Sequence, residues 1–169
     1  MELYFGAKNL ILPAMRALGI SFTTRSQIVS LLPPIVITSY NKYSLLASLN
    51  PSTGAQNWLT NSDSFAFASK VAVSPNGEIF MTGSFGDNNV GPNNWGSDIL
   101  LARFSSAGVL LQTKYTGVVN SIDNGNGIAF DTNGNYFITG SVGCTSPPCT
   151  FNGVPMYGAD DTFILKNLP

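Results

Sequence analysis

GIAFDTNGNYFITGS, residues 127–141, decides the fold: two short apolar runs flank the dipeptide Asn133-Gly134. KVAVSPNGEIFMTGS at 70–84 repeats it with seven of fifteen positions identical, and a fainter copy, GISFTTRSQIVS, opens at Gly19. Superposing Gly19, Lys70 and Gly127 gives intervals of 51 and 57 residues. Self-similarity at such spacing marks a repeat architecture. The first copy matches best at its start, where Gly19, Ile20, Phe22 and Thr24 equal Gly127, Ile128, Phe130 and Thr132. It then decays, with Arg25-Ser26 in place of Asn133-Gly134.

Each repeat reads as strands. The first is Val71–Ser74 or Ile128–Asp131, followed by Asn76-Gly77 or Asn133-Gly134. Asn-Gly tolerates positive φ at both centres of a type I′ hairpin turn, which is the turn expected here. The return strand, Ile79–Thr82 or Tyr136–Thr139, is rich in aromatic and β-branched residues. Gly83 and Gly140 close it where backbone passes close to a neighbour. After a variable loop, 86–97 or 143–160, a third strand recurs as Asp98–Phe104, Asp161–Lys166 and Leu45–Leu49. A near-continuous apolar run of this length implies a strand covered on both faces. A fourth strand ends at Lys114–Gly117 in one copy and near Trp58–Thr60 in another. Four antiparallel strands per repeat, stacked on neighbours, describe a β-propeller blade. The expected fold is therefore all-β, with propeller-like blades and about three repeats. The repeats are 19–69 (degenerate), 70–126 and 127–169, the last without its fourth strand. An N-terminal segment, 1–18, contains Leu3-Tyr4-Phe5-Gly6, which resembles Lys114–Gly117 and reads as the closing strand of a preceding or last blade. A helix over 7–18 is opposed by Pro13.

Composition removes many functions. The chain has 169 residues, 44% apolar and 10% charged, with 17 Asn and 17 Gly. Eight basic and nine acidic residues lie scattered, leaving no patch for nucleic acid. With no histidine, Ser-His-Asp and Cys-His nucleophile systems are excluded, as are His-ligated metals. The longest apolar run, Ile28 to Ile37, is short and broken by Pro33-Pro34, so no membrane span is expected. The N-terminus is a poor signal peptide, with Glu2 in place of a basic start and Lys8 and Arg16 interrupting the apolar stretch. The composition nevertheless looks exported, so the true start is expected upstream, with this chain a fragment of a protein of the cell envelope or exterior. Cys144 and Cys149, bent together by Pro147-Pro148, read as a loop-stapling disulfide, with free thiols as the alternative.

AFDTNGNYFITGS and DTFILK resemble the two halves of the bacterial SBBP repeat, a beta-propeller-type repeat; AVSPNGEIFMTGS with DILLARF matches nearly as well. The resemblance covers most of 65–168. It implies the propeller fold and exported or surface-attached proteins, and it implies no activity. Closed propellers use roughly four to eight blades, so about three make an incomplete one. Additional repeats, or a homodimer of roughly six blades, would complete it.

Among candidate sites, Asp131–Asn135 has oxygen ligands at short spacing, but Gly134 is misplaced for a calcium loop and no bidentate Glu follows. Asp123–Gly127 is similarly weak. Asp98/Arg103 and Asp161/Lys166 read as caps of buried strand ends or as pairs between blades. The loop 87–97 is the ligand candidate: Trp95 offers a stacking face, and Asn88, Asn89, Asn93 and Asn94 offer amide donors and acceptors. No catalytic residue, metal or cofactor is assigned. The expected function is a non-catalytic binding or structural module that presents variable loops to an unknown protein or glycan. A lectin-like protein is the alternative, and a propeller-type hydrolase the third.

Overall fold

In a computed structural model of the chain, the described residues are 27–28, 35–40, 43–62, 66–86 and 96–167. The segment 1–18, all of the 19–30 copy but Gln27-Ile28, and residues 87–95 of the 87–97 loop lie outside them. Thirteen strands and no helix occur there: β1 Gln27–Ile28, β2 Ile35–Tyr40, β3 Tyr43–Leu49, β4 Gln56–Asn61, β5 Ala66–Val73, β6 Ile79–Phe85, β7 Asp98–Phe104, β8 Leu110–Thr116, β9 Asn124–Phe130, β10 Tyr136–Gly143, β11 Thr150–Phe151, β12 Val154–Pro155 and β13 Asp160–Lys166. They form an antiparallel sheet 1 (β1-β2-β3-β4), sheet 2 (β5-β6-β7-β8) and sheet 3 (β9-β10-β13), with β11-β12 as a small hairpin. The blades expected from the repeats are present, and the third has three strands. In sheet 1 the return strand is β2, Ile35–Tyr40. Superposing on Gly19 overlooked it, because Pro33-Pro34 interrupt the apolar run that leads into it.

The sheets pack face to face. Ile35, Ile37 and Leu46 of sheet 1 meet Val71, Ile79, Met81, Leu100, Ala102 and Phe104 of sheet 2. The opposite face of sheet 2, with Phe80, Ile99 and Leu101, meets Ile128, Ile138 and Val142 of sheet 3. Strand β7 is thus covered on both sides, with Ile99, Leu100, Leu101 and Ala102 exposed by 0, 0, 4 and 0%. That explains why its apolar run is continuous rather than alternating. Burying each such aliphatic side chain contributes roughly 1.5–3 kcal/mol. Among the described residues no sheet lies beyond β13, and Ile164, which stands where β7 has Leu101, is 77% exposed.

The hairpin turns differ from the expected type I′. Gly77 and Gly134 have φ of +85° and +82°, while Asn76 and Asn133 are not in the positive region. The Gly77 N–H donates to Ser74 O at 2.9 Å and the Gly134 N–H to Asp131 O at 3.1 Å. The amides of Ser74 and Asp131 donate in turn to the carbonyls of Glu78 and Asn135. This is a type I turn followed by a left-handed glycine, the three-residue hairpin loop. Pro75 favours it physically, since its fixed φ suits the second position of a type I turn and it has no N–H to close a two-residue loop around Asn76-Gly77. Ser105–Val109 repeats the arrangement between β7 and β8, with Gly108 at φ +80°.

The recurring glycines mark a recurring distortion. The ladder between β5 and β6 skips Ser69, and that between β9 and β10 skips Asn126. These bulges push the carbonyls of Phe67 and Asn124 toward the return strand. A Cβ on Gly83 would lie 1.9 Å from Phe67 O, and one on Gly140 1.9 Å from Asn124 O. The neighbour that demands glycine is therefore the strand's own bulged partner.

Candidate functional site

The loops that leave the blades converge at one rim, and a single carboxylate fastens them. Asp123 lies between the 117–122 loop and β9 and is fully buried. Its Oδ2 accepts the Val118 N–H at 2.6 Å. Its Oδ1 accepts the Ser121 hydroxyl at 2.7 Å and the Gly143 N–H at 2.9 Å. One residue thereby ties the connection between sheets 2 and 3 to the start of the disulfide loop. Burial pushes the Asp123 carboxyl above its ordinary 3.8, and the Ser121 hydroxyl and the Val118 and Gly143 amides oppose that shift.

The same knot reaches the first loop. Ser97 N–H donates to Ser121 O at 3.1 Å, the Asp123 N–H donates to Ser97 O at 2.7 Å, and the Ser97 hydroxyl donates to Asp123 O. Gly96, at φ +106°, leaves no room for a side chain, since a Cβ would stand 1.7 Å from Ser121 O. Asp98, 4% exposed, begins β7 beside the knot. A Cβ on Gly117 would meet Asp98 Oδ1 at 2.6 Å and Asp123 Oδ2 at 2.3 Å. Gly117 is required because two carboxylates close over it.

The third loop is anchored rather than loose. Cys144 and Cys149 are joined, with Cα atoms 5.8 Å apart. The Cys144 N–H donates to Ala159 O, the Thr145 hydroxyl to Asn120 O, and the Met156 N–H to Cys149 O. Phe151 drops into the core between sheets 2 and 3 and meets Phe163 at 5.1 Å between ring centroids. Tyr157 at the loop's far side is 95% exposed, and its amide donates to Asp161 Oδ2. Closing so short a loop removes about 2 kcal/mol of unfolded-chain entropy. Reduction, or Cys144→Ser with Cys149→Ser, is expected to lower stability by about that amount. Amide exchange should rise between 144 and 159 while β6 and β7 stay protected. Uniform loss of protection would show that the bridge supports the whole fold instead.

Of the ligand residues read from the sequence, Trp95, Asn88, Asn89, Asn93 and Asn94 all lie outside the described residues. What is fixed is the base of their loop, Gly96–Ser97 against Ser121–Asp123. Asp131, weighed as a cation ligand, is occupied by its own turn: Oδ1 accepts the Asn133 and Asn135 amides at 2.9 and 2.8 Å, and Oδ2 accepts the Asn135 side chain at 2.7 Å. Those bonds, that of the Asn135 side chain first, hold its carboxyl below the ordinary value. Among the described residues no three Cys, Asp or Glu side chains come together in a way that could hold a metal ion. Arg103 does not pair between blades. It grips Glu78 of its own sheet through Nε at 3.0 Å and Nη2 at 2.6 Å, which lowers the Glu78 carboxyl. The rim residues that reasoning on the sequence passed over are Gly117 and Ser121, and Asp123, weighed there only as a weak cation ligand, proves to be the fastening carboxylate. The available signal was an acid in a stretch of Asn, Ser and Gly, within a chain that has few acids.

No helix among the described residues is long and apolar enough to cross a membrane. A search of curated proteins returned no match to the chain. Residues 113–141, which run from within β8 through the Asp123 knot and β9 to Ser141 of β10, match the family model for SBBP, a beta-propeller repeat, and over that stretch the chain is similar to such a repeat.

Proposed function

We propose that the chain is a non-catalytic binding or structural module, placed outside the cell or on its envelope, that presents unlike loops from rigid blades. The observation that carries this reading is the fastening of three loop bases to the buried Asp123. A fixed base lets loop tips differ in sequence without loss of the blades beneath them. The cysteine bridge and the low charge support an oxidising exterior.

One observation favours a lectin-like version. Trp95 directly precedes Gly96 and Ser97, whose backbone is locked against Ser121 and Asp123. A tryptophan face stacks against a sugar, and Asn88, Asn89, Asn93 and Asn94 would supply hydrogen bonds. A glycan array on the folded chain tests it. Binding that falls at least about tenfold in Trp95→Ala, the loss of one stacking contact, supports the lectin version. No glycan bound leaves the protein-presenting module. Turnover across a hydrolase panel, lost on changing one Asp, would overturn both.

The partner that completes the architecture is a further blade. The outer face of sheet 3 carries Ile164 and Lys166 at the positions where sheet 2 carries Leu101 and Arg103, which sheet 3 covers in its turn.

A further inference from the structure

Five Asn-Gly dipeptides occur in the chain, at Asn76, Asn124, Asn126, Asn133 and Asn152. Their surroundings divide them. The Gly77 N–H donates to Ser74 O at 2.9 Å, and the Asn76 side-chain oxygen accepts the Ser74 hydroxyl and the Glu78 amide. The Gly134 N–H donates to Asp131 O at 3.1 Å. Gly125 and Gly127 lie within β9, opposite Gly140 and Thr139 of β10, and Ile128 of that strand packs in the core against sheet 2. Asn152-Gly153 has none of these restraints. It is the tip of the β11-β12 hairpin, where only Thr150 with Pro155 and Phe151 with Val154 are paired. Both tip residues are exposed and have positive φ, 48° at Asn152 and 78° at Gly153, so the type I′ turn occurs here. A two-residue turn closes through the residues that flank it, which leaves the Gly153 N–H out of the ladder. A Cβ on Gly153 would meet no atom within 4 Å. So short a hairpin opens locally at little cost.

We propose that Asn152 is a site of spontaneous covalent modification, losing its side-chain amide to attack by the Gly153 nitrogen. That nitrogen gives up its proton and bonds to Asn152 Cγ, the Cγ–Nδ2 bond breaks, and ammonia leaves. Water then opens the cyclic imide at either carbonyl, which yields aspartate or isoaspartate; nothing is oxidised or reduced. The attack needs a glycine nitrogen free of hydrogen bonds and a backbone free to swing it onto Cγ, and glycine sets no side chain in the way. One new carboxylate takes the chain's formal net charge from −1 to −2. It stands in the same loop as Val154 and Tyr157, which are 63% and 95% exposed. The isoaspartate form also adds a carbon to the backbone of the turn. The modification changes what the 143–160 loop displays, and it holds whether or not that loop binds a partner.

Ageing the folded, disulfide-bonded chain in mildly alkaline buffer, with peptide mapping by mass spectrometry, reads the exchange of NH2 for OH at each asparagine. Asn152 is expected to convert about tenfold faster than Asn76, Asn124, Asn126 or Asn133, whose glycines must first leave a hydrogen bond or a ladder. In urea the five should convert at similar rates, because each precedes glycine. Labelling by an isoaspartyl methyltransferase should fall on the converted 152 peptide. Conversion at Asn152 no faster than at Asn76 or Asn133 in the folded chain would overturn the proposal. So would the same ranking in urea, which would trace it to local sequence, or a converted 152 peptide that takes no methyl label, which would mean hydrolysis without the imide.

Discussion

Asp123→Ala is expected to destabilise the fold by about 3–5 kcal/mol, the cost of breaking a fully buried charged network. That approaches the whole stability of an ordinary domain, about 5–15 kcal/mol. The size follows from what remains: the amides of Val118 and Gly143 would point into a site with no acceptor, while the Ser121 hydroxyl would keep only Val118 O at 2.9 Å. Asp123→Asn keeps the shape but turns an amide NH2 toward one of those donors, so it should lose about 2 kcal/mol or more. The pH dependence identifies the cause. Burial raises the folded carboxyl above 3.8, so the pH-dependent part of its contribution is full below pH 3.8 and is lost as pH rises through the raised value. The deficit of Asp123→Asn against the parent chain should therefore be widest in acid and narrow toward neutral pH. Chemical unfolding across that range measures it, and a deficit that widens with pH would refute this account of the site. The 117–123 loop should open first, together with the loops it holds.

Gly83→Ala and Gly140→Ala should each cost about 3 kcal/mol or more, because the new methyl meets backbone that cannot rotate away. A Cβ at either position lies 1.9 Å from a bulge carbonyl, Phe67 O or Asn124 O. At Gly140 the Phe163 ring stands in the way as well, at 2.8 Å. Gly134→Ala is the control. No atom lies within 4 Å of its Cβ position, but φ is +82°, so only the left-handed backbone penalty of about 1–2 kcal/mol applies. Equal losses at Gly83, Gly140 and Gly134 in urea titrations would mean that conformation, and not collision, demands glycine in the return strands.

The strands, their grouping and the four-strand blade were legible in the chain. Alternation, β-branched runs and turn residues act over a few neighbours, and Gly127–Ser141 and Lys70–Ser84 write them twice. The demand for glycine at 83 and 140 was legible too. The bulges at Ser69 and Asn126 that create it were not, because a skipped residue depends on the partner's register. The turn type was misread at Asn76-Gly77: the dipeptide permits type I′, but the positive φ falls on the glycine alone. The first repeat was superposed on Gly19, whereas the strand that answers to Ile79–Phe85 is Ile35–Tyr40.

By itself the sequence determined an all-β repeat chain, since hydrophobic period and turn chemistry are local properties. It also read the third strand of every repeat as doubly covered, which among the described residues holds for Ile99 to Ala102 of β7 and fails at Ile164 of β13. Only the tertiary structure decided that Asp123 fastens three loop bases, that Gly117 is closed in by two carboxylates, and that Arg103 turns to Glu78 within its own sheet. Each of these rests on groups distant along the chain that meet only when the sheets stack, and an isolated stretch of sequence does not encode which distant donor a buried carboxylate will face.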